Sequence, residues 1–157
     1  MKKIIGVILL FIPMLTGCLS ATVEKGLQRA QQTGTPLFIS QIALQHNQFM
    51  PVRIFWSNTS TKTIEHLLFS ISFFNEEGQT IFHKQLEDHT GPYLPIKSAE
   101  NPINRSWWFG DWYQEAMKCL LIDKIEIYFE DGSHETVEVK KQLNQMIADD
   151  VVTDCRK

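Results

Sequence analysis

Ile125-Glu126-Ile127-Tyr128-Phe129-Glu130-Asp131-Gly132-Ser133, followed by Thr136-Val137-Glu138-Val139, is the stretch that decides the fold. Ile125, Ile127 and Phe129 alternate with Glu126, Tyr128 and Glu130, so one face is apolar and the other polar. That is the period of a half-buried β-strand. Asp-Gly between two such runs is the strongest short-range hairpin signal, since a two-residue turn asks for positive φ at both central positions. An antiparallel hairpin with one wet face is therefore expected towards the end of the chain.

Upstream the same period recurs. Leu67, Phe69, Ile71 and Phe73 share a face opposite Leu68, Ser70 and Ser72, and Asn75-Glu76-Glu77-Gly78 turns that strand into Gln79–Lys84. Met50, Val52, Ile54 and Trp56 alternate with Pro51, Arg53 and Phe55, and Ser57-Asn58-Thr59-Ser60 closes the segment as a turn. Proline cannot donate to a ladder, so Pro51 predicts an edge strand or a bulge at that point. Leu37–Leu44 is a further candidate strand, and Gly91-Pro92 and Pro95 interrupt the chain. Many short strands, spaced turns and no strand–helix alternation predict an all-β antiparallel sandwich. The tail departs from this: Val139, Leu143, Met146, Ile147 and Val151 stand at helical spacing, predicting an amphipathic helix over Lys140–Asp150 packed on the sandwich.

The N-terminus has a different logic. Met1-Lys2-Lys3 precedes an apolar run from Ile4 to Met14, which is about half the ~20 residues a spanning helix needs. Charged start, short apolar core and small residues are the layout of a secretory signal. The closing Leu15-Thr16-Gly17-Cys18 resembles the lipobox of bacterial lipoproteins. That resemblance implies removal of residues 1–17, a lipidated Cys18 and attachment to a membrane through acyl chains. Leu19 follows Cys18, with no Asp there; in a host with two membranes, lipoprotein sorting would then favour the outer membrane, facing the periplasm. Residues 18–35 read as a lipidated tether, either a plain spacer or a short helix over Val23, Leu27 and Ala30, ended by Thr33-Gly34-Thr35-Pro36.

Composition narrows the function classes. Of 157 residues, 43% are hydrophobic and 21% charged, which suits a globular chain and not a disordered one. There are 15 basic and 18 acidic residues; without Lys2 and Lys3 the balance is 13 against 18, or −5. Such an acidic balance argues against nucleic acid, which needs clustered Lys and Arg to displace counterions. Beyond Cys18, Cys119 and Cys155 remain, an even number in an exported chain. They are either a disulfide or a buried thiol and a free one in the tail.

Three segments in order resemble small immunoglobulin-like domains of exported bacterial proteins, of the FxLyD kind. They are Asn58-Thr59-Ser60-Thr61-Lys62-Thr63-Ile64 running into Phe69–Gly78, then Gly91-Pro92-Tyr93-Leu94-Pro95, and lastly Trp112-Tyr113, Cys119 and Ile125–Ser133. The resemblance spans about Pro36–Val139 and implies an extracytoplasmic, non-enzymatic immunoglobulin-like sandwich over 36–139, followed by a helix and tail over 140–157. Ile96-Lys97 and the helical tail depart from the family pattern.

Little else in the chain carries chemistry. Trp107-Trp108-Phe109-Gly110-Asp111-Trp112-Tyr113 reads in two ways. Trp107, Trp108, Trp112 and Tyr113 form either a platform for glycan, peptidoglycan or a protein partner, or anchors that pin a long loop onto the core. His83, Asp88 and His89 are suitable metal ligands by type, but their spacing matches no zinc motif and solvated polar residues are the expectation. His46, His66 and His134 are scattered. No Gly-x-Ser-x-Gly, His-Glu-x-x-His or phosphate loop is present, and Cys119 lies in an apolar run that would keep a thiol inert. Glu76-Glu77 and Asp149-Asp150 read as solvated charge, and the sequon Asn58-Thr59-Ser60 as a turn. The expectation is a non-enzyme with no cofactor and no metal, acting through an envelope protein or peptidoglycan partner.

Overall fold

The computed structural model describes residues 18–44, 51–95, 102–108, 117–149, 151 and 155, with backbone alone for 18–20, 22, 51, 108, 143 and 144. Residues 1–17, expected from sequence to be a leader, and His46, Trp112 and Tyr113 lie outside these residues. The elements run α1 (Cys18–Thr33), β1 (Leu37–Leu44), β2 (Pro51–Asn58), β3 (Ile64–Phe74), β4 (Thr80–Asp88), β5 (Ile103–Trp108), β6 (Cys119–Phe129), β7 (His134–Glu138) and α2 (Val139–Met146). Two antiparallel sheets form, one in the order β1-β2-β5 and one in the order β4-β3-β6-β7. This is an all-β sandwich, and its strand arrangement fits the immunoglobulin-like class.

The inward stripe Leu67, Phe69, Ile71 and Phe73 of β3 has no exposed surface, and it faces Val52, Ile54 and Trp56 of β2, equally buried. Both hairpins of the larger sheet close with the same device. Asn75 pairs with Gln79 and Phe129 with Ser133 around three-residue loops, with Gly78 (φ 75°) and Gly132 (φ 80°) in the left-handed region. No non-glycine residue has positive φ among the described residues. The Asp131-Gly132 turn is therefore a type I turn completed by a left-handed glycine, and not the two-residue turn expected from Asp-Gly.

Bulges explain where strand patterns break. On β6, Ser70 pairs with Lys124 but Ile71 with Ile122, so Asp123 is the extra residue. The inward set shifts phase there, from Leu120 and Ile122 to Ile125, Ile127 and Phe129. Pro51 requires a correction. β2 is the central strand of its sheet, and its bulge lies across from it on β1, at Ser40 between Ile39 and Gln41. Pro51 is tolerated because it is the first residue of the strand.

Two further differences concern the ends. Within segment 18–35, Cys18–Thr33 form the 16-residue helix α1, and it is docked rather than free: Leu27 and Ala30 pack with Phe38 and Ala148. Thr35 N–H to Ala30 O (2.9 Å) and Gly34 N–H to Gln31 O (3.3 Å) close it as a Schellman motif, with Gly34 at φ 70°. The C-terminal helix stops at Met146, short of the expected Asp150, with a non-helical Gln142 inside it. Chain direction changes there because Ile147 forms a parallel bridge to Ile39, and Ala148 N–H bonds Ile39 O at 3.0 Å. α2 touches β1 of one sheet and β6 and β7 of the other, so it closes that side of the sandwich. Cys119, at the start of β6, is joined by a disulfide to the buried Cys155 in the tail (Cα–Cα 5.8 Å).

α1 approaches the sheet closely at Gly26, where a Cβ would stand 2.6 Å from the Phe38 ring, itself fully buried. In an exposed helix Gly→Ala stabilises by about 1 kcal/mol. Here overpacking is predicted to prevail: Gly26→Ala should lower stability by about 1–2 kcal/mol in urea unfolding. A gain in stability would show that the helix is not seated on Phe38.

Candidate functional site

Ionisable and aromatic side chains gather at two places, the β4–β5 side of the sandwich and the outer face of the larger sheet.

On the β4–β5 side, inward-facing Asp88 at the end of β4 has a side chain with no exposure, and Arg105 of β5 reaches it across the gap between the sheets. Arg105 Nε donates to Asp88 Oδ2 at 3.0 Å and Oδ1 at 3.2 Å, and Nη2 donates to the Tyr93 hydroxyl at 3.0 Å. The Tyr93 hydroxyl donates to Asp88, as does Thr90 Oγ1 (2.8 Å). Gly91 makes the approach of Tyr93 feasible, since a Cβ there would lie 2.1 Å from Glu65 O. Tyr93 is then held by a backbone bridge to Ile64 and packs edge-on against Trp56, 4.7 Å between centroids. Asn58 is also fully committed: its amide donates to Lys62 O and Tyr93 O, both at 2.8 Å, and accepts from Ser60.

This network joins the two sheets, and its charges are neutralised within it. Burial works against the Arg105 cation, but the hydrogen bonds with Tyr93 and the charge of Asp88 outweigh that cost and hold its pKa above the ordinary range. Burial first, then the bond to Asp88, raises the Tyr93 phenol above its usual 10. Trp107 belongs to the same side. Its indole N–H donates to Glu87 O at 2.9 Å and its ring meets Phe69 edge-on at 5.7 Å. In this structure Trp107 is an anchor between the sheets. It sits in β5, so the aromatic segment expected as a loop begins inside a strand, where Trp107 pairs with Val52 and Trp108 with Pro51.

His83, Asp88 and His89 do not converge. Asp88 points inward to Arg105, His83 bonds Ser72, and His89 bonds Glu87. Among the described residues no grouping of three or more His, Cys, Asp or Glu could hold a metal ion. The larger sheet does bring together a serine, a histidine and an acid that lie far apart in sequence. Ser72 Oγ is 2.8 Å from His83 Nδ1 and 2.5 Å from Asp123 Oδ2, the carboxylate that the β6 bulge re-aims. The order is wrong for nucleophilic catalysis. The single hydroxyl proton goes to Asp123, which leaves His83 Nδ1 as the donor to Ser72 and not its base. Ser72 is also buried.

Of the histidines that look scattered in sequence, His66 and His134 join a row of rings on this face. His66 stacks on Tyr128 at 4.2 Å, lies 4.9 Å from His89, and Tyr128 stacks with His134 at 6.0 Å. Sequence reading missed this row, because only the register His66↔Tyr128↔His134 brings these positions together.

No protein-family model, curated protein or solved structure matches the chain. The class is thus defined by geometry alone: an immunoglobulin-like sandwich with a charge-paired side and a helix-covered side.

Replacing Arg105 with Leu should cost about 3–5 kcal/mol, since it strands a buried carboxylate. A loss below about 1 kcal/mol in urea unfolding would mean that Asp88 is solvated. The Tyr93 shift also predicts an alkaline effect. Its contribution is complete below pH 10, where both states hold the proton, and is lost as pH rises through the higher folded value. Tyr128, raised by its bond to Glu126, adds in the same direction. Tyr93→Phe should therefore flatten the decline of unfolding free energy above pH 10; an unchanged slope would contradict the assignment.

Proposed function

We propose that this chain is a lipid-anchored cell-envelope protein whose sandwich is a non-catalytic interaction module. The observation that carries the reading is the Cys119–Cys155 bridge, which needs an oxidising compartment, taken together with the leader and Leu15-Thr16-Gly17-Cys18. No helix among the described residues is long and apolar enough to cross a membrane, so anchoring would rest on acyl chains at Cys18. Two chains suffice for stable attachment and one does not. The inward-facing Asp88, Arg105 and Tyr93 are bound to one another, which favours a structural use of these groups over a reactive one.

The anchoring geometry follows from α1. It begins at Cys18 and is docked from Val23 onward, so the sandwich would sit close to the bilayer instead of on a flexible stalk. A helix of 16 residues is about 24 Å long, which sets the reach. Following the Leu19 argument, the outer membrane, facing the periplasm, is the proposed location in a host with two membranes.

Cys18→Ser should abolish incorporation of labelled fatty acid and release the protein from the membrane fraction. Retention in membranes together with label incorporation would overturn the anchor.

A further inference from the structure

All four histidines among the described residues lie on one surface, the outer face of the sheet β4-β3-β6-β7. The register places His66, Leu68, Ser70 and Ser72 of β3 opposite Tyr128, Glu126, Lys124 and Leu121 of β6. On the flanks, His83 and Glu87 of β4 face Ser72 and Leu68, and His134 and Glu138 of β7 face Tyr128 and Lys124. His89 and Asp123 join the face through their contacts with His66 and Ser72.

Three of the four imidazoles each have a carboxylate beside them. His89 Nε2 is 2.8 Å from Glu87, His66 Nδ1 is 4.0 Å from Glu65, and His83 Nδ1 is 4.0 Å from Asp123. Glu126 bonds Lys124 at 2.5 Å and also the Tyr128 hydroxyl, while Glu138 faces Lys124. The face therefore carries five carboxylates (Glu65, Glu87, Asp123, Glu126 and Glu138) against the single ammonium of Lys124. Its formal charge is −4 with neutral imidazoles and zero when all four are protonated. Histidine is the side-chain class that gains charge on mild acidification, so acid acts on this face through its imidazoles.

We propose that this face docks a cationic partner, a Lys- or Arg-rich segment, at neutral pH and releases it on mild acidification. Charge complementarity selects the partner: the unneutralised carboxylates attract ammonium and guanidinium groups, and imidazolium competes for the same oxygens. The stacked rings hold the competing groups in place, so protonation changes the charge of the face without needing a change of fold. This rests on the reading of the sandwich as an interaction module, and it names the face and the class of partner.

The test uses the full chain in non-ionic detergent with a fluorescent deca-lysine peptide, at low and constant ionic strength because salt screens such contacts. Binding should be at least about tenfold tighter at pH 7.5 than at pH 5.5, within the usual range of coupled equilibria. Glu87→Gln with Glu126→Gln should weaken binding at pH 7.5, whereas Glu76→Gln with Glu77→Gln, the same charge removed from the β3–β4 turn, should not. His83→Asn with His89→Asn should retain more binding at pH 5.5, and near-UV circular dichroism checks that each variant is folded. By reciprocity, the peptide should lower the imidazole titration midpoints seen by proton NMR. Binding that is independent of pH, tighter at pH 5.5, or equally weakened by both carboxylate pairs would overturn the proposal. Catalytic turnover by the folded chain would instead remove the interaction-module reading and leave these charge measurements standing.

Discussion

Four side chains of β3, Leu67, Phe69, Ile71 and Phe73, have no contact with water, and the remaining architecture follows from that constraint. A strand with such a stripe is stable only if a second layer covers it. β2 supplies the cover with Val52, Ile54 and Trp56, and β6 adds Ile125, Ile127 and Phe129 beside the stripe. At about 25 cal/mol per Å² of apolar surface, this burial is the main force holding the sheets together. It is also non-directional, so it does not determine how the sides of the sandwich are closed.

The two sides are closed by different chemistry. Between β4 and β5, the Asp88–Arg105 pair and the Tyr93 hydroxyl fix the position of one sheet over the other through directional bonds. A buried pair of this kind specifies geometry better than it adds stability, because desolvation offsets most of its attraction. Near β1 and β7, closure is apolar and covalent: α2 lies across both sheets, Ile147 bridges Ile39, and Cys155 is tied to Cys119. α1 adds a second small core around Phe38.

Where alternation runs unbroken, as in β3 and the second half of β6, strand and inward face are legible directly from sequence. β5 was not, because its inward set is Ile103, Arg105 and Trp107, and a charged residue at a core position erases the apolar signal. Only the partner Asp88, distant in sequence, makes that position intelligible. The first half of β6 is hidden by the phase change at Asp123, which no local pattern announces. The histidine face is illegible for a different reason: strand register brings His66, His83 and His134 to one side of the sheet, and His89 joins it through its contact with His66. Pro51 fits a central strand because it is the first residue of β2, a position where proline is allowed.

The central claim is an oxidised, lipid-bearing sandwich outside the cytoplasm, and the intact mass of the protein isolated from its native host under non-reducing conditions tests it most directly. The account predicts a chain lacking residues 1–17, heavier by its acyl groups and lighter by two hydrogens than the reduced form. A mass that begins at Met1, with free thiols at Cys119 and Cys155 and no added lipid, would contradict it.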